Sequence, residues 1–295
     1  MLSMLELQTA VEIGVIYGTL SMGLYLTFRT INFPDLTCDG SFVAGAAISS
    51  ALIKCGYSPF FAAVAAIFAG GIAGLCTGVL NLMAKIEDLL SGIIVAFMLY
   101  SVNLRIMGSS PNITLVDKIT MFSEGSSLST ACAITVSLVI LFSYLLNTDF
   151  GLGLRAVGQN RQFAASSGVN VNSMIIVGLM GSNALVGLCG SIFSQYQGFC
   201  DISQGVGSLV IGLASVIIGE KMLSCFNIRK RAEKSFLPIL LSFVSCVAGS
   251  IAYRIFIAIA VNCDALGLRT QDINLITGLL VIFVMRSTKS GRNLC

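Results

Sequence analysis

Phe60-Phe-Ala-Ala-Val-Ala-Ala-Ile-Phe-Ala-Gly-Gly-Ile-Ala-Gly-Leu-Cys-Thr-Gly-Val-Leu-Asn-Leu-Met83 carries no charged side chain. It is as long as the roughly 20 residues that a helix needs to cross a bilayer. Ala10–Phe28, Leu89–Leu104, Leu128–Leu146, Met174–Gln195 and Phe236–Val261 are of similar length and nearly as apolar. The composition agrees: 56% of residues are hydrophobic and 11% charged, against about 25% charged in an ordinary soluble domain. Too little polar material remains to cover a water-facing surface. The expected fold class is an all-α polytopic membrane protein, with the lipid bilayer as its first partner.

Working outward, the chain divides into about nine membrane segments (8 to 10), near 10–30, 40–54, 59–83, 88–107, 128–147, 173–198, 206–220, 236–262 and 272–287. The second and seventh are short, and each follows a polar, glycine-containing stretch. These are Asn32-Phe-Pro-Asp-Leu-Thr-Cys-Asp-Gly-Ser41 and Gly198-Phe-Cys-Asp-Ile-Ser-Gln-Gly-Val-Gly-Ser208. No Lys or Arg precedes Arg29, while Glu6 and Glu12 are acidic. The basic region of a cleavable signal peptide is missing, so the first apolar segment is expected to remain as a membrane helix.

Loop charge sets the expected orientation. With 148–172, 221–235 and the C-terminal tail in the cytoplasm, twelve Lys and Arg side chains fall inside and four (Lys54, Arg105, Lys118, Arg269) outside. Arg254 lies within a span. The positive-inside rule then places the N-terminus outside and the C-terminus in the cytoplasm.

The chain also resembles itself. Gly40-Ser-Phe-Val-Ala-Gly-Ala-Ala47 aligns with Gly207-Ser-Leu-Val-Ile-Gly-Leu-Ala214, and Leu90-Ser-Gly-Ile-Ile-Val-Ala-Phe97 with Ile276-Thr-Gly-Leu-Leu-Val-Ile-Phe283. Both pairs lie five crossings apart, an odd number, so the halves have opposite orientation. Two inverted repeats with short broken helices are the expected plan, as in many transporters. Residues 1–295 then form one membrane domain. About 10–107 is the first half, 108–172 holds an outer loop, a linking helix and a cytoplasmic loop, and 173–287 is the second half. Gly70, Gly74 and Gly78, and Gly14 with Gly18, form small-residue stripes that permit close helix packing.

The ten cysteines are scattered without a CxxC pair, and histidine is absent. No metal site is expected, and Cys76, Cys132, Cys189 and Cys246, within apolar spans, read as small hydrophobes. No catalytic constellation with diagnostic spacing occurs.

In the cytoplasmic loop Gly151–Asn170, Asn160 is a good N-cap and Gly168 a good residue just past a helix end. About two helical turns are expected over Arg161–Ser167, with Phe163, Ala164 and Ser167 on one face suited to docking in a groove of another protein. The alternative is an ordinary loop with a helical turn.

Arg155-Ala-Val-Gly-Gln-Asn160, with Ala164 and Gly168-Val, and the Asn32–Phe42 segment resemble the branched-chain amino acid/ribose class of ABC permeases. Leu89-Leu-Ser-Gly-Ile, Asn103-Leu-Arg-Ile-Met-Gly, Ser182-Asn-Ala-Leu-Val, Gln195-Tyr-Gln-Gly-Phe and Ile211–Glu220 are similar to its tryptophan/tyrosine-type or uncharacterised subgroup. The resemblance covers about residues 10–285. It implies a bacterial inner-membrane importer with a cytoplasmic ATPase, an extracytoplasmic solute-binding protein and a second permease copy, identical or related. It also implies a coupling role for Arg155, Ala156, Gly158, Asn160, Ala164 and Gly168. The chain departs from the usual pattern at Gln159, where an acidic residue is expected, and at Ser166-Ser167, near which Leu is usual. It has no GxxxxGK[ST] loop, so no cofactor is expected on this chain and ATP would act on the partner.

A candidate pathway comprises Asp39, Gly40, Ser41, Asn81, Asn183, Gln195, Gly207 and Ser208. Asp35, Asp39 and Asp201 beside the breaks are placed to meet a cationic solute group or to cap helices, and Asp39 before Gly40-Ser41 reads as the cap of its own helix. Asn81, Asn183 and Gln195 fit a polar path or hydrogen bonds between helices equally well. Arg254, a charge within a span, reads either as a functional group or as a side chain that snorkels towards the interface, the second being the expectation. The basic run Arg229–Lys234 reads as a solvated loop at anionic headgroups, and nucleic acid is not an expected partner. The competing reading is an ion-coupled secondary transporter. Subgroup similarity implies a small polar solute, an amino acid with an aromatic side chain being the first choice.

Overall fold

The computed structural model describes residues 4–123, 125–225 and 237–262, with Leu275, Thr277, Gly278 and Ile282 beyond them. Apart from those four positions, the ninth expected segment and the second repeat match at 276–283 lie outside the described residues, as do the basic run Arg229–Lys234 and the charges of the C-terminal tail.

Ten helices are described. α1 (Met4–Leu24) continues into a π-helical stretch, Tyr25–Ile31, which ends where Asn32 takes a left-handed φ of 56°. After an irregular passage, α2 is Cys38–Lys54. α3 is Pro59–Met83, with Ser58 accepting the Phe61 N–H and proline at the first helical position, where no donor is lost. α4 (Asp88–Ile106) and α5 (Ser127–Asn147) follow. Two short helices come next, α6 (Asp149–Gln159) and α7 (Arg161–Ser166). α8 (Val171–Gln197) starts with Asn170 capping the Ser173 N–H and stops at Gly198, φ 75°. α9 (Ser208–Cys225) and α10 (Leu237–Val261) close the described fold. One small departure from all-α is an antiparallel ribbon of β1 (Asn112–Thr114) and β2 (Phe199–Asp201), pairing Ile113 with Cys200.

Among the described residues, six helical stretches are long and apolar enough to cross a membrane: Met4–Ile31, α3, α4, α5, α8 and most of α10. α2 and α9 are shorter, with 17 and 18 residues; at 1.5 Å per residue each spans about 26 Å, less than the roughly 30 Å hydrocarbon core.

α1, α2 and α8 form the buried centre, whereas α4 and α5 leave most of their surface apolar and open, as a bilayer or a second subunit requires. α3 runs along α8, and α10 runs along α1. α2 leans on α3, and α9 leans on α10. The glycine stripes make these approaches possible: a Cβ on Gly70 would sit 2.0 Å from the Asn183 carbonyl oxygen, and one on Gly14 2.8 Å from Ile251 Cα. Without a hydrophobic push between helices in lipid, such close contact supplies the packing energy. Of the four span cysteines, Cys189 and Cys246 are buried as expected, Cys132 is half-buried, and Cys76 faces outward from α3.

Candidate functional site

The irregular passages before α2 and α9 converge. The N-terminus of α9 arrives at Asp39, in the first turn of α2. Asp39 Oδ1 accepts from Ser208 Oγ and from the Leu209 N–H, both at 2.8 Å, and Oδ2 accepts from the Gly207 N–H at 3.3 Å. These are the unpaired donors at the start of a helix, and a carboxylate there satisfies both hydrogen bonding and the dipole. Asp39 is therefore a cap, but of α9 and not of its own helix. At α2 the N-cap position is Thr37, whose side chain makes no capping bond.

Behind this junction lies a buried polar network. Asp35 is fully buried; its carboxylate accepts from the Thr37 N–H (2.8 Å) and from Asn183 Nδ2 (2.6 Å). Ser41 Oγ donates to Asn183 Oδ1 at 2.6 Å, and the Thr37 and Thr77 hydroxyls meet at 2.6 Å. The first break is thus tied to α3 and α8 by paired polar groups, as buried polar groups require.

In front of the junction is a cavity of about 390 Å³, within the usual range for small-molecule sites, about 300–1,000 Å³. Its walls are apolar: Leu36 and Val43, Ile93, Ala96 and Phe97 of α4, and Val206. Asp39, Gly40, Tyr100 and Asn103 add the polar edge. Of the eight pathway residues named from the sequence, Asp39 and Gly40 line this cavity, and Gly207 and Ser208 bond to Asp39 at its rim. The other four lie elsewhere. Ser41 and Asn183 sit in the network behind. Asn81 ends α3, donating to the Ile86 carbonyl (2.8 Å) and to Asp88 (2.7 Å). Gln195 binds Ser49 and Ser191 and accepts the Met121 N–H, joining α2, α8 and the loop after α4. Phe97, Tyr100 and Val206 went unnoticed in the sequence, because apolar or aromatic residues within an apolar span carry no signal of their own. Spacing of 93, 96/97 and 100 on one helical face was the only hint.

Arg254 does not snorkel. Its guanidinium carbon lies 4.3 Å from the centre of the Tyr17 ring, which packs with Phe42 and Phe193 in the core. A cation over an aromatic face recovers part of the lost hydration.

The expected short helix forms as α7. Asn160 Oδ1 accepts the Gln162 and Phe163 N–H groups, each at 3.0 Å, and Gly168 takes a φ of 84°. The shared face is different from that expected. Ala164 is turned inward beside Leu154, Val157 and Ile175, whereas Phe163 is 66% exposed. A preceding helix, α6, was not anticipated, its glycines having read as loop. Gly158 has a packing reason: a Cβ there would sit 1.9 Å from the Thr30 carbonyl oxygen. Arg155 turns back to the Leu146 and Gly151 carbonyls (3.2 and 3.3 Å), capping the end of α5. Ala156 is half-buried.

Comparison with known proteins identifies the family. Residues 8–285 match the family described as branched-chain amino acid transport system / permease component. A tyrosine transport system permease protein of Clostridioides difficile is 39% identical over 91% of this chain and 86% of its own length. An uncharacterised protein of Rickettsia prowazekii is 32% identical over 95% of this chain and 97% of its own length. A probable branched-chain amino acid permease of Methanocaldococcus jannaschii is 26% identical over 72% of this chain and 74% of its own. No solved structure matches. The chain belongs to the branched-chain amino acid transport permease family of ABC transporters, and is the membrane-spanning component of a system whose ATPase is a separate subunit.

Proposed function

We propose that this chain, beside a second permease copy, forms the pathway for a small amino acid, tyrosine or one like it, across the bacterial inner membrane. An external binding protein delivers the solute, and an ATPase docked on α7 supplies the energy. The observation that carries this reading is the meeting of two interrupted helices at Asp39, on the wall of an apolar cavity beside the open face of α4. Helices broken at mid-membrane mark transport pathways. The Asp39 carboxylate is already held by α9, so the cavity offers little discrimination and leaves specificity to the binding protein. The tyrosine permease of C. difficile supports the solute class, and family membership sets aside ion coupling.

The packing also supports inverted repeats. Under the pairing α1/α8, α2/α9 and α3/α10, the contact of α3 with α8 maps onto that of α10 with α1, and α2 on α3 maps onto α9 on α10. A ninth segment completes the second half. α7 is the docking element: it is held by its own caps and presents Phe163 outward.

Purification in mild detergent, from membranes that also hold the ATPase, tests the assembly. The ATPase is expected to co-purify, and Phe163→Asp, at an exposed position, is expected to lose it while the permease elutes unchanged. A permease that never retains an ATPase sinks the docking reading. Orientation is tested separately with variants that keep one cysteine. Cys55 is exposed between α2 and α3, so an impermeant maleimide added to intact cells is expected to label it. Cys200, on the same side in β2, is expected to resist even at pH 9, because burial pushes its thiol up to about 12 and the thiolate is the reactive form. Labelling of Cys55 only after the cells are opened reverses the proposed topology.

A further inference from the structure

Arg29 pairs with Glu220, and Arg161 with Asp88. The second joins the docking helix to a cavity wall. Arg161 opens α7, and its Nη2 lies 3.1 Å from Oδ2 of Asp88, the first residue of α4. The other Asp88 oxygen accepts from Asn81 at the end of α3. One carboxylate therefore has a neighbour fixed in the bundle and a neighbour on the helix that a partner would move.

We infer that Arg161 and Asp88 are positioning residues for transport: they form the strut through which α7 sets the position of α4, and hence of the cavity. This rests on the reading of α7 as the ATPase-docking element. α4 suits the role. It is one uninterrupted helix, it leaves most of its surface open, and it carries Ile93, Ala96, Phe97 and Tyr100 along the cavity. Its foot also touches the first break, since a Cβ on Gly92 would lie 2.7 Å from the Leu36 nitrogen. A shift at Asp88 thus reaches the cavity wall and the break before α2 together. The pair itself is half-open to solvent, with 45% and 28% of the two side chains exposed. Such a pair adds little to folding, so its removal separates coupling from stability. Arg161 is the suited donor because its charge is permanent and its planar fork holds a carboxylate directionally.

The test uses the whole complex, permease with its ATPase, with a spin label at Val102→Cys on α4 in a chain whose other cysteines are replaced. ATP with vanadate is the probe, and the readout is the change in the label's spectrum. Unaltered positions 161 and 88 are expected to give a clear change. Arg161→Gln and Asp88→Asn, which keeps an acceptor for Asn81, are expected to reduce it at least fivefold while retaining the ATPase and its basal hydrolysis. Arg161→Lys, preserving the charge, is expected to restore at least half, which a merely structural site would not require. A wild-type response in Arg161→Gln overturns the strut. So does a label that never responds in the unaltered pair, or ATPase loss in Arg161→Gln, which would make Arg161 a docking residue. Failure of the unaltered chain to hold any ATPase instead removes the docking reading on which the strut rests.

Discussion

The two breaks carry the same signature, Gly-Ser-x-Val-x-Gly-x-Ala, yet they are built by different physics. The first, around residues 32–37, is rooted in the interior. Asp35 is buried and paired with Thr37 and Asn183, and Thr37 reaches Thr77 on α3. The second, 198–207, is rooted at the surface. Gly198 ends α8 in a left-handed turn, β2 pairs with β1, and Asp201 accepts from the Ser203 N–H in a local turn. Even the matched glycines differ. Gly40 is small because Leu99 and Ala96 of α4 stand 3.0–3.2 Å from where its Cβ would be, whereas Gly207 has open space and a φ of 85°. The dependence runs one way: the second break reaches α9 and takes its cap from Asp39 of the first. A repeated motif, then, preserves the place where the chain breaks, not the means by which each break is held.

If the first break is an interior network, it should be costly to strip. Asn183→Leu leaves Oδ2 of the buried Asp35 carboxylate and the Ser41 hydroxyl without the partner they share, while Asp35 Oδ1 keeps the Thr37 N–H. Leaving such groups unpaired costs about 3 kcal/mol or more. The expected result is the largest loss of thermal stability of any single change at either break, read as monodisperse protein remaining after heating in detergent. A melting profile close to wild type would mean that the network does not hold the break. Asp39→Ala comes next. It removes the cap of α9 and is expected to cost about 1–2 kcal/mol, with Asp39→Asn recovering much of it because an amide oxygen still accepts. Uptake in reconstituted vesicles is expected to fall further than the loss of folded protein explains, since both interrupted helices meet at this side chain. Equal loss in Asp39→Ala and Asp39→Asn would point to charge in the cavity, not to capping.

The comparison also explains what the sequence made legible. The length of the apolar runs located the membrane helices, because a bilayer sets how long such a run must be, while the caps Ser58-Pro59, Asn170 and Gly198 fix where those helices start and stop. Asn160 and Gly168 delimited α7 in the same way. Its faces were misjudged, since in two turns periodicity is weak and α8 decides that Ala164 points inward. Asp39 was recognised as a cap, but its partner lies about 170 residues away, and a local rule assigns it to the nearest helix. Asn81 and Gln195 stood out as polar groups in apolar spans; only the tertiary fold supplies Asp88, Ser49 and Ser191 as their partners. The cavity walls stayed silent because lipid-facing, subunit-facing and cavity-facing apolar residues look alike in sequence.

The smallest effect is the sharpest check on the asymmetry. Asp201 matches Pro34 in the repeat alignment, and its carboxylate serves Ser203 alone, through the backbone N–H and the hydroxyl, in a partly exposed turn. Asp201→Ala is expected to cost about 0.5 kcal/mol, the scale of a surface change away from core features. The ribbon keeps its own backbone pairing, and α9 keeps its cap from Asp39. Stability and uptake should therefore stay near wild type, and the double variant Asp39→Ala/Asp201→Ala should lose the sum of the two single effects, as sites without shared partners do. If Asp201→Ala alone cost as much as Asp39→Ala, or the double variant lost clearly more than the sum, the second break would hold the first as firmly as the first holds it. The one-way dependence would then give way to a reciprocal clasp, with β2 rather than Asp39 setting where α9 begins.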